Sequence, residues 1–401
     1  MSEGEVWLEG SYGITAAATH PGESLGRHVD GLPVNRGYGA ILVIVDRLSK
    51  SAHFISLRHP FTGNKLKGSS SYHPQTDGQT KVVSKTLEYY LRCYCHEEQT
   101  MWKEFIFGAE YWAYFTNIKI GNPPKSFELN VDTGSALTWV QCDGPCLSCT
   151  LPPDRLYTPP EGSVVPCGDP ICALLQGDEP NCEEPTDRCD YVIRYGDRSS
   201  THGYLVKDQF PLQLVDGSVI ESPLVFGCGY NQTGVFKGAG ILGLNRGRVG
   251  FLSQMHLQGV IQPVVGHCLS TGKRGGFLFL GDDLVPPSGI SWTPITNTLS
   301  ETYSSGPVNL LFDKSTTQVT DLQFNFDSGS TFSFLNKTTY KTTLSQMKGR
   351  VCLGIADGSI IGLENTNVIG AVSMQDKLVI YDNVNHRIGW TSWNCSVRPT
   401  D

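Results

Sequence analysis

Short runs of alternating apolar and polar residues recur along the chain from about residue 107 onward, separated by Gly, Pro, Asn and Asp. This alternation with frequent turn residues is typical of an all-β protein. It predicts a hairpin that joins residues 116–121 to residues 127–131, and a short helix near residues 251–258. The 44 glycines and the Pro-rich stretch 151–185 fit loops on such a scaffold.

Residues 1–105 follow a different pattern. A continuous apolar run at 40–45 predicts a buried strand, residues near 53–57 predict a second one, and residues 81–95 predict an amphipathic helix. No apolar run in the chain reaches the roughly 18 residues that a membrane-spanning helix needs. We therefore expect no membrane span.

Length and charge narrow the class of protein. A chain of 401 residues can form two or three domains with substantial cores. Of the net charge of −8, residues 1–110 contribute 11 Lys+Arg against 12 Asp+Glu, and the remainder contributes 20 against 27. Because phosphate binding needs a basic surface, this balance argues against nucleic acid as a partner. A role of the acidic charge in solubility explains the balance equally well. We expect the protein to be a monomer.

Eleven of the 13 cysteines fall between Cys142 and Cys395, which indicates a disulfide framework made in an oxidising compartment. The spacing Cys142-x3-Cys146-x2-Cys149 leaves zinc as a minor alternative, although no pair of histidines follows; we predict no metal and no cofactor. The N-terminus lacks the pattern of a signal peptide, so the sequence does not decide in which cellular compartment the protein lies. Three glycosylation sequons fit the secretory pathway: Asn231, Asn336 and Asn394.

Two similar tetrapeptides carry the chemistry, residues 132–135 (Asp-Thr-Gly-Ser) and residues 327–330 (Asp-Ser-Gly-Ser). Each leaves an apolar strand. One such tetrapeptide is ordinary turn chemistry, but two match a pair of carboxylates built from two similar lobes. Adjacent carboxylates share a proton, so one can deprotonate a water while the other protonates a peptide carbonyl. The sequence therefore predicts Asp132 and Asp327 as a catalytic pair for peptide hydrolysis.

Neighbouring residues suit this role. The glycine of each motif allows a tight turn, the residue after each Asp offers a hydroxyl to the opposite loop, and the final serine can orient its own carboxylate. A purely structural role in turns is the alternative. The six supporting residues are Thr133, Gly134, Ser135, Ser328, Gly329 and Ser330.

From about Tyr111 to Cys395 the chain resembles the pepsin-like aspartic endopeptidases, in particular their cysteine-rich plant branch of nucellin- and nepenthesin-like proteins. Trp139 stands seven residues after the first Asp, where the family has a Trp, and Tyr195 resembles the flap tyrosine. Residues 241–243 and 368–370 resemble the strands that thread behind each catalytic loop. The resemblance implies a mostly β, bilobal fold and cleavage, in acid, of extended polypeptides with apolar side chains at the cut.

The resemblance also implies lobes at about 106–295 and 296–401, the second of them shortened. Only 43 residues separate Asp327 from Gly370, roughly half the family's spacing. Several strands are therefore expected to be missing, and the partner of Cys352 with them. The alternative function follows from this loss: a catalytically impaired, protease-like product of a transposon-disrupted gene that acts at most as a peptide-binding module.

Residues 41–55 and 69–95 resemble the integrase core of gypsy-type retrotransposons. The resemblance implies that residues 1–105 are a small α/β remnant of a ribonuclease-H-like fold. That family binds metal ions through three carboxylates. Here Arg27 and Lys81 stand where two of them are expected, and the third belongs to a segment missing between Leu66 and Lys67. We therefore predict neither strand transfer nor productive binding of metal or DNA by this part.

Overall fold

The computed structural model describes residues 113–399, except 145, 178–181, 215–216, 235, 272–275, 297–300, 313–314, 317–318 and 347–354, together with the backbone of three strands upstream. The chain divides into two compact units, Met1–Glu110 and Tyr111–Asp401. No described helix is both long and apolar enough to cross a membrane.

The described part of the first unit is a three-stranded antiparallel sheet in the order β1-β2-β3. Its strands are β1 (Ser24–Val29), β2 (Tyr38–Asp46) and β3 (Ala52–Arg58). The two strands predicted at 40–45 and 53–57 are confirmed. Arg27 lies in β1, opposite Val43 of β2. The predicted helix 81–95, Lys81, and the Leu66–Lys67 junction lie outside the described residues.

The second unit begins with a seven-stranded sheet in the order β4-β5-β10-β6-β9-β8-β7. Its strands are β4 (Phe115–Ile120), β5 (Lys125–Asp132), β6 (Trp139–Gln141), β7 (Asp190–Arg194), β8 (Ser200–Gln213), β9 (Val219–Thr233) and β10 (Gly240–Gly243). The predicted hairpin is confirmed as the antiparallel pair β4–β5. In β5 the apolar side chains Phe127, Leu129 and Val131 are buried at alternate positions, as the period of a strand requires.

A smaller sheet, in the order β16-β19-β17-β18, repeats part of this arrangement. Its strands are β16 (Phe324–Asp327), β17 (Ser333–Leu335), β18 (Ile355–Asp357) and β19 (Asn367–Gly370). β10 lies parallel to β5 and pairs Gly243 with Asp132, and β19 lies parallel to β16 and pairs Gly370 with Asp327. In both sheets, therefore, the strand after the Asp loop is separated from the strand before it by an inserted third strand.

A five-stranded antiparallel sheet, in the order β12-β11-β20-β21-β13, combines strands that are far apart in the chain. Its strands are β11 (Val264–Leu269), β12 (Gly276–Leu280), β13 (Ser291–Pro294), β20 (Lys377–Asp382) and β21 (Arg387–Ser392). Val379 and Tyr381 of β20 face the main core, and Leu378 and Ile380 face a smaller cluster on the other side. A two-stranded ribbon of β14 (Leu311–Phe312) and β15 (Ser315–Thr316) completes the described strands.

The described helices are short, with ten residues in the longest. They are α1 (Pro170–Gln176), α2 (Phe251–Leu257), α3 (Lys337–Gln346) and α4 (Ala371–Met374), with 3-10 turns at Pro153–Arg155 and Gly358–Ile361. The helix predicted near 251–258 is confirmed as α2, which follows Gly250. Phe251, Leu252 and Met255 are its buried apolar residues.

Ten cysteines of the second unit form five disulfides: Cys142–Cys228, Cys146–Cys149, Cys167–Cys182, Cys172–Cys189 and Cys268–Cys395. The three cysteines whose spacing left zinc open are all oxidised, so their sulfurs cannot act as thiolate ligands. Cys167, Cys172 and Cys182 also lie within metal-binding distance of one another, but each belongs to a disulfide. Cys352 lies outside the described residues.

Candidate active site

The first Asp of the predicted pair ends β5 in a buried position. The Asp132 side chain is 5% exposed, and its Oδ1 accepts a 2.8 Å hydrogen bond from the Gly134 amide. Ser135 Oγ donates to the other carboxyl oxygen over 2.5 Å. The turn after the strand thus points two donors at the carboxyl group and fixes its orientation.

The second Asp ends β16 in the same way. Asp327 Oδ1 accepts hydrogen bonds from the amides of Gly329 (2.9 Å) and Ser330 (3.1 Å). Ser330 Oγ donates to Oδ2 over 2.7 Å. Residues 132–135 and 327–330, called the two aspartate loops below, therefore hold their carboxyl groups with matching sets of donors.

Reciprocal hydrogen bonds join the two aspartate loops. The Thr133 amide donates to Ser328 Oγ, and the Ser328 amide donates to Thr133 Oγ1, each over 3.0 Å. Each hydroxyl in turn donates to the strand before the opposite loop: Thr133 Oγ1 to the Phe326 carbonyl (3.1 Å), and Ser328 Oγ to the Val131 carbonyl (2.7 Å). All four bonds are buried, so neither loop can move without leaving polar groups unpaired.

The glycines of the two loops lie directly against the opposite carboxyl groups. A methyl group built on Gly134 would be 2.6 Å from Cγ of Asp327, and one built on Gly329 would be 2.6 Å from Cγ of Asp132. Real side chains do not tolerate such contacts. Glycine is therefore required in both loops because of the close approach of a carboxyl group, and the two carboxyl groups face each other.

The electrostatics of the pair favour a shared proton. Burial is the main cause that raises the pKa of Asp132 to about 7, and the neighbouring Asp327 carboxylate adds to this effect. The hydrogen bonds from Ser135 and Gly134 lower the same pKa by a smaller amount. Asp327 is close enough to Asp132 for the two carboxyl groups to influence each other's protonation. Asp132 consequently keeps a proton in mildly acidic solution, where an ordinary aspartate has lost it.

The predicted flap and tryptophan residues meet beside this pair. Trp139, at the start of β6, donates from Nε1 to the hydroxyl of Tyr195 over 2.7 Å. Phe236 packs edge-on against both, with ring centroids 5.2 Å from Trp139 and 5.7 Å from Tyr195. Burial and the charge of Asp132 raise the pKa of Tyr195, so its hydroxyl stays neutral. Phe236 was not predicted, because a single aromatic residue in a Gly-rich loop carries no pattern.

A buried polar group below the aspartate loops was also not predicted. The hydroxyl of Tyr381, from β20, lies 3.5 Å from Thr133 Oγ1 and 3.2 Å from Nε2 of His267 on β11. The ring of Tyr303 packs 4.3 Å from that of Tyr381, and its hydroxyl donates to the Leu244 carbonyl. The five-stranded sheet therefore supports the loops through specific polar contacts.

Comparison with known proteins places the chain in a family. Models of the N-terminal and C-terminal xylanase inhibitor domains match residues 114–282 and 294–392. An aspartic proteinase of Oryza sativa subsp. japonica is 35% identical over 71% of this chain and 88% of its own length. The chain belongs to the plant pepsin-like aspartic proteinase family. The resemblance seen from residues 111–395 is thereby confirmed.

Other members of this plant aspartic proteinase family are more distant. Aspartic proteinase nepenthesin-2 of Nepenthes gracilis is 31% identical, over 62% of this chain and 58% of its own length. Among solved structures, basic 7S globulin from soybean is similar with a TM-score of 0.56 and 15% identity, over 71% of this chain and 93% of that one. At that identity the likeness concerns the fold alone.

Proposed function

We propose that this protein is an aspartic endopeptidase in which Asp132 and Asp327 together activate a water molecule to hydrolyse peptide bonds. The observation that carries the proposal is the facing of the two carboxyl groups, each packed on the glycine of the opposite aspartate loop. The fold does not suffice as an argument, because it is shared with basic 7S globulin from soybean. The names of the relatives, which are aspartic proteinases, support the same conclusion.

The reaction requires the pair to hold one proton. Asp132 is the more buried of the two, and its raised pKa favours the proton there. Ionised Asp327 then takes a proton from the water while Asp132 gives its proton to the carbonyl oxygen, which yields a neutral tetrahedral diol. Collapse of the diol, with a proton passed to the leaving nitrogen, releases the amine and the acid and returns one proton to the pair.

The substrate is an extended polypeptide with apolar side chains at the cut. Trp139, Tyr195 and Phe236 form an aromatic group beside the carboxyl pair, and aromatic surfaces of this kind favour apolar side chains. Tyr195 follows β7, an edge strand of the seven-stranded sheet. An edge position suits a flap that closes over bound substrate.

Peptide cleavage tests this proposal. The full chain should cleave a fluorescence-quenched peptide with an apolar pair at its centre, and fastest in acid over a scan from about pH 3 to 8. Asp132→Asn and Asp327→Asn should each abolish cleavage, because neither amide can exchange the required proton. Asp154→Asn, at an exposed position, is the matched control and should leave the rate unchanged. Full activity of either catalytic-site variant, or fastest cleavage near pH 8, would refute the mechanism.

A second candidate is a protease-like protein with impaired turnover that binds peptides, and the length of the alignment favours it. The match to the Oryza sativa proteinase runs over 367 positions, but 71% of 401 residues is only about 285. This relative therefore carries residues that the chain lacks, in keeping with a shortened second lobe at 296–401 beside a first lobe at 106–295. Saturable binding of the same peptide without any cleavage would support this candidate over the first.

We propose further that the protein acts as a monomer and that residues 1–105 are an inactive integrase remnant. The three-stranded sheet β1-β2-β3 is compatible with an α/β fold, and Arg27 stands at a position where the integrase resemblance implies a carboxylate. Magnesium-dependent joining of DNA ends by this protein would refute the remnant's inactivity. Measurement of mass in solution tests the oligomeric state.

A further inference from the structure

A histidine lies buried in the sheet below the aspartate loops. His267 is 1% exposed and lies in β11, between Val265 and Leu269, whose side chains face the main core. Side chains two residues apart in a strand share a face, so the imidazole also points into that core. It is opposite Val379 of β20 in the strand ladder, and diagonal to Tyr381. The peptidase reaction as described above makes no use of it.

The surroundings of the two ring nitrogens determine which of them carries the proton. Nε2 lies 3.2 Å from the Tyr381 hydroxyl, whereas Nδ1 is buried and has no partner among the described residues. A buried N–H without an acceptor is rarer than a buried acceptor without a donor. The favoured neutral tautomer therefore has its proton on Nε2, which donates to the oxygen of Tyr381.

The tautomer determines where Tyr381 directs its own proton. With its oxygen accepting from His267, the hydroxyl can donate to Thr133 Oγ1 or to the sulfur of Met374, each 3.5 Å away. A thioether sulfur is a weak acceptor, so Thr133 is favoured. Thr133 Oγ1 then accepts from Tyr381 and from the Ser328 amide and donates to the Phe326 carbonyl, which satisfies the hydroxyl completely.

We propose that His267 is a positioning residue for the two aspartate loops, and that it acts through Tyr381 on Thr133. This inference rests on the proposed peptidase function. The described residues around the imidazole do not stabilise a second proton. The strand β12 presents Leu278 opposite His267, Tyr303 and Tyr381 are neutral phenols, Asp327 lies beyond Tyr381, and Asp382 is paired with Arg387. In agreement, burial lowers the pKa of His267 to about 4.

Two substitutions separate positioning from packing. His267→Leu keeps an apolar side chain but loses the donor, whereas in His267→Gln an amide nitrogen can donate to Tyr381. We expect His267→Leu to lower kcat about tenfold or more with little change in KM, and His267→Gln to restore most of kcat. His256→Gln, at an exposed position on α2, is the control and should leave both constants unchanged. Equal losses in the Leu and Gln variants, or none in either, would overturn the proposal.

A double-mutant cycle tests the route through Tyr381. If His267 acts only through this hydroxyl, Tyr381→Phe should lower kcat as much as His267→Leu, and the double variant should lose no more than either single variant. Additive losses would overturn the proposal. The comparison of Tyr381→Phe with the wild type remains informative even where a His267 variant fails to fold.

A measurement that needs no turnover keeps this inference distinct from the proposed function. In protein with ¹⁵N-labelled histidine, the nitrogen shifts of the His267 imidazole report its tautomer and protonation; its signals are those missing from the His267→Gln spectrum. We expect a neutral imidazole protonated on Nε2 that persists to about pH 4. A proton on Nδ1, or titration at the ordinary value for histidine, would overturn the inference whether or not the protein cleaves peptides. Absence of cleavage with the expected spectrum would contradict only the proposed function.

Discussion

Replacement of Thr133 by valine tests whether the hydrogen bonds between the aspartate loops hold the site together. Valine has the shape of threonine with a methyl group in place of the hydroxyl. The substitution therefore removes the acceptor of the Ser328 amide and the donor to the Phe326 carbonyl and leaves the volume of the side chain nearly unchanged. The backbone amide of Phe326 donates to the Tyr303 carbonyl, and the Phe326 carbonyl accepts from Thr133 Oγ1.

The size of the loss in stability follows from the two backbone groups left without a hydrogen-bond partner, the Ser328 amide and the Phe326 carbonyl. Each buried backbone group left unpaired costs about 1–3 kcal/mol. The added methyl group returns less than about 1 kcal/mol of burial. The net loss is therefore about 1–5 kcal/mol, a large part of the roughly 5–15 kcal/mol that stabilises a domain. Because the loops carry the carboxyl groups, we also expect kcat to fall about tenfold or more.

Denaturant unfolding and peptide kinetics measure the two effects. Thr133→Ser retains the hydroxyl and should keep most of the stability and activity, and Thr158→Val at an exposed position should behave as the wild type. Wild-type stability and kcat in Thr133→Val would show that the hydroxyl contributes nothing measurable. The same losses in Thr133→Ser would show that packing of the side chain, rather than hydrogen bonding, is responsible.

Four further outcomes are expected. Denaturation at several pH values should show that the stability of Asp132→Asn relative to the wild type rises by about 4 kcal/mol between about pH 4 and 7, because an aspartate with a raised pKa favours the folded state only while it holds its proton. Tyr195→Phe should raise KM for apolar peptides, since the flap loses its bond to the tryptophan; peptide kinetics measure this. Mass spectrometry of protein from a secretory host should find a glycan on exposed Asn394 but not on Asn336, whose side chain is hydrogen-bonded to Thr339 and Asn367. Removal of residues 1–110, a separate compact unit, should leave unfolding and cleavage by the remainder unchanged.

The sequence predicted the local structure and the paired Asp motifs because both depend on short-range patterns. Alternation of apolar residues predicts the strand that ends at Asp132, and turn chemistry predicts the Gly and Ser that follow. The idea that hydroxyl groups bond across to the opposite loop needs only the duplication of the motif. The reciprocal bonds of Thr133 and Ser328 have this form.

The supporting residues below and beside the loops could not be predicted in the same way. Tyr381 lies 248 residues after Thr133 and His267 lies 114 residues before Tyr381, so their contact depends on which strands become neighbours. β11 and β20 are buried at almost every position, and a continuous buried strand does not identify its partner. Phe236 is similar, because only the folded sheet brings its loop against Trp139.

The two buried ionisable groups connected through Thr133 and Tyr381 have opposite effects on stability. Asp132, with its pKa raised to about 7, binds in the folded state a proton that the unfolded chain loses above about pH 4, so its contribution falls as pH rises. His267, with its pKa lowered to about 4, lacks in the folded state a proton that the unfolded chain holds up to about pH 6.5, so its contribution grows as pH rises. Between about pH 4 and 6.5 the two slopes cancel, and these groups together leave stability level across that range. Loss of either group should expose the slope of the other: stability that rises with pH in Asp132→Asn, and stability that falls with pH in His267→Gln.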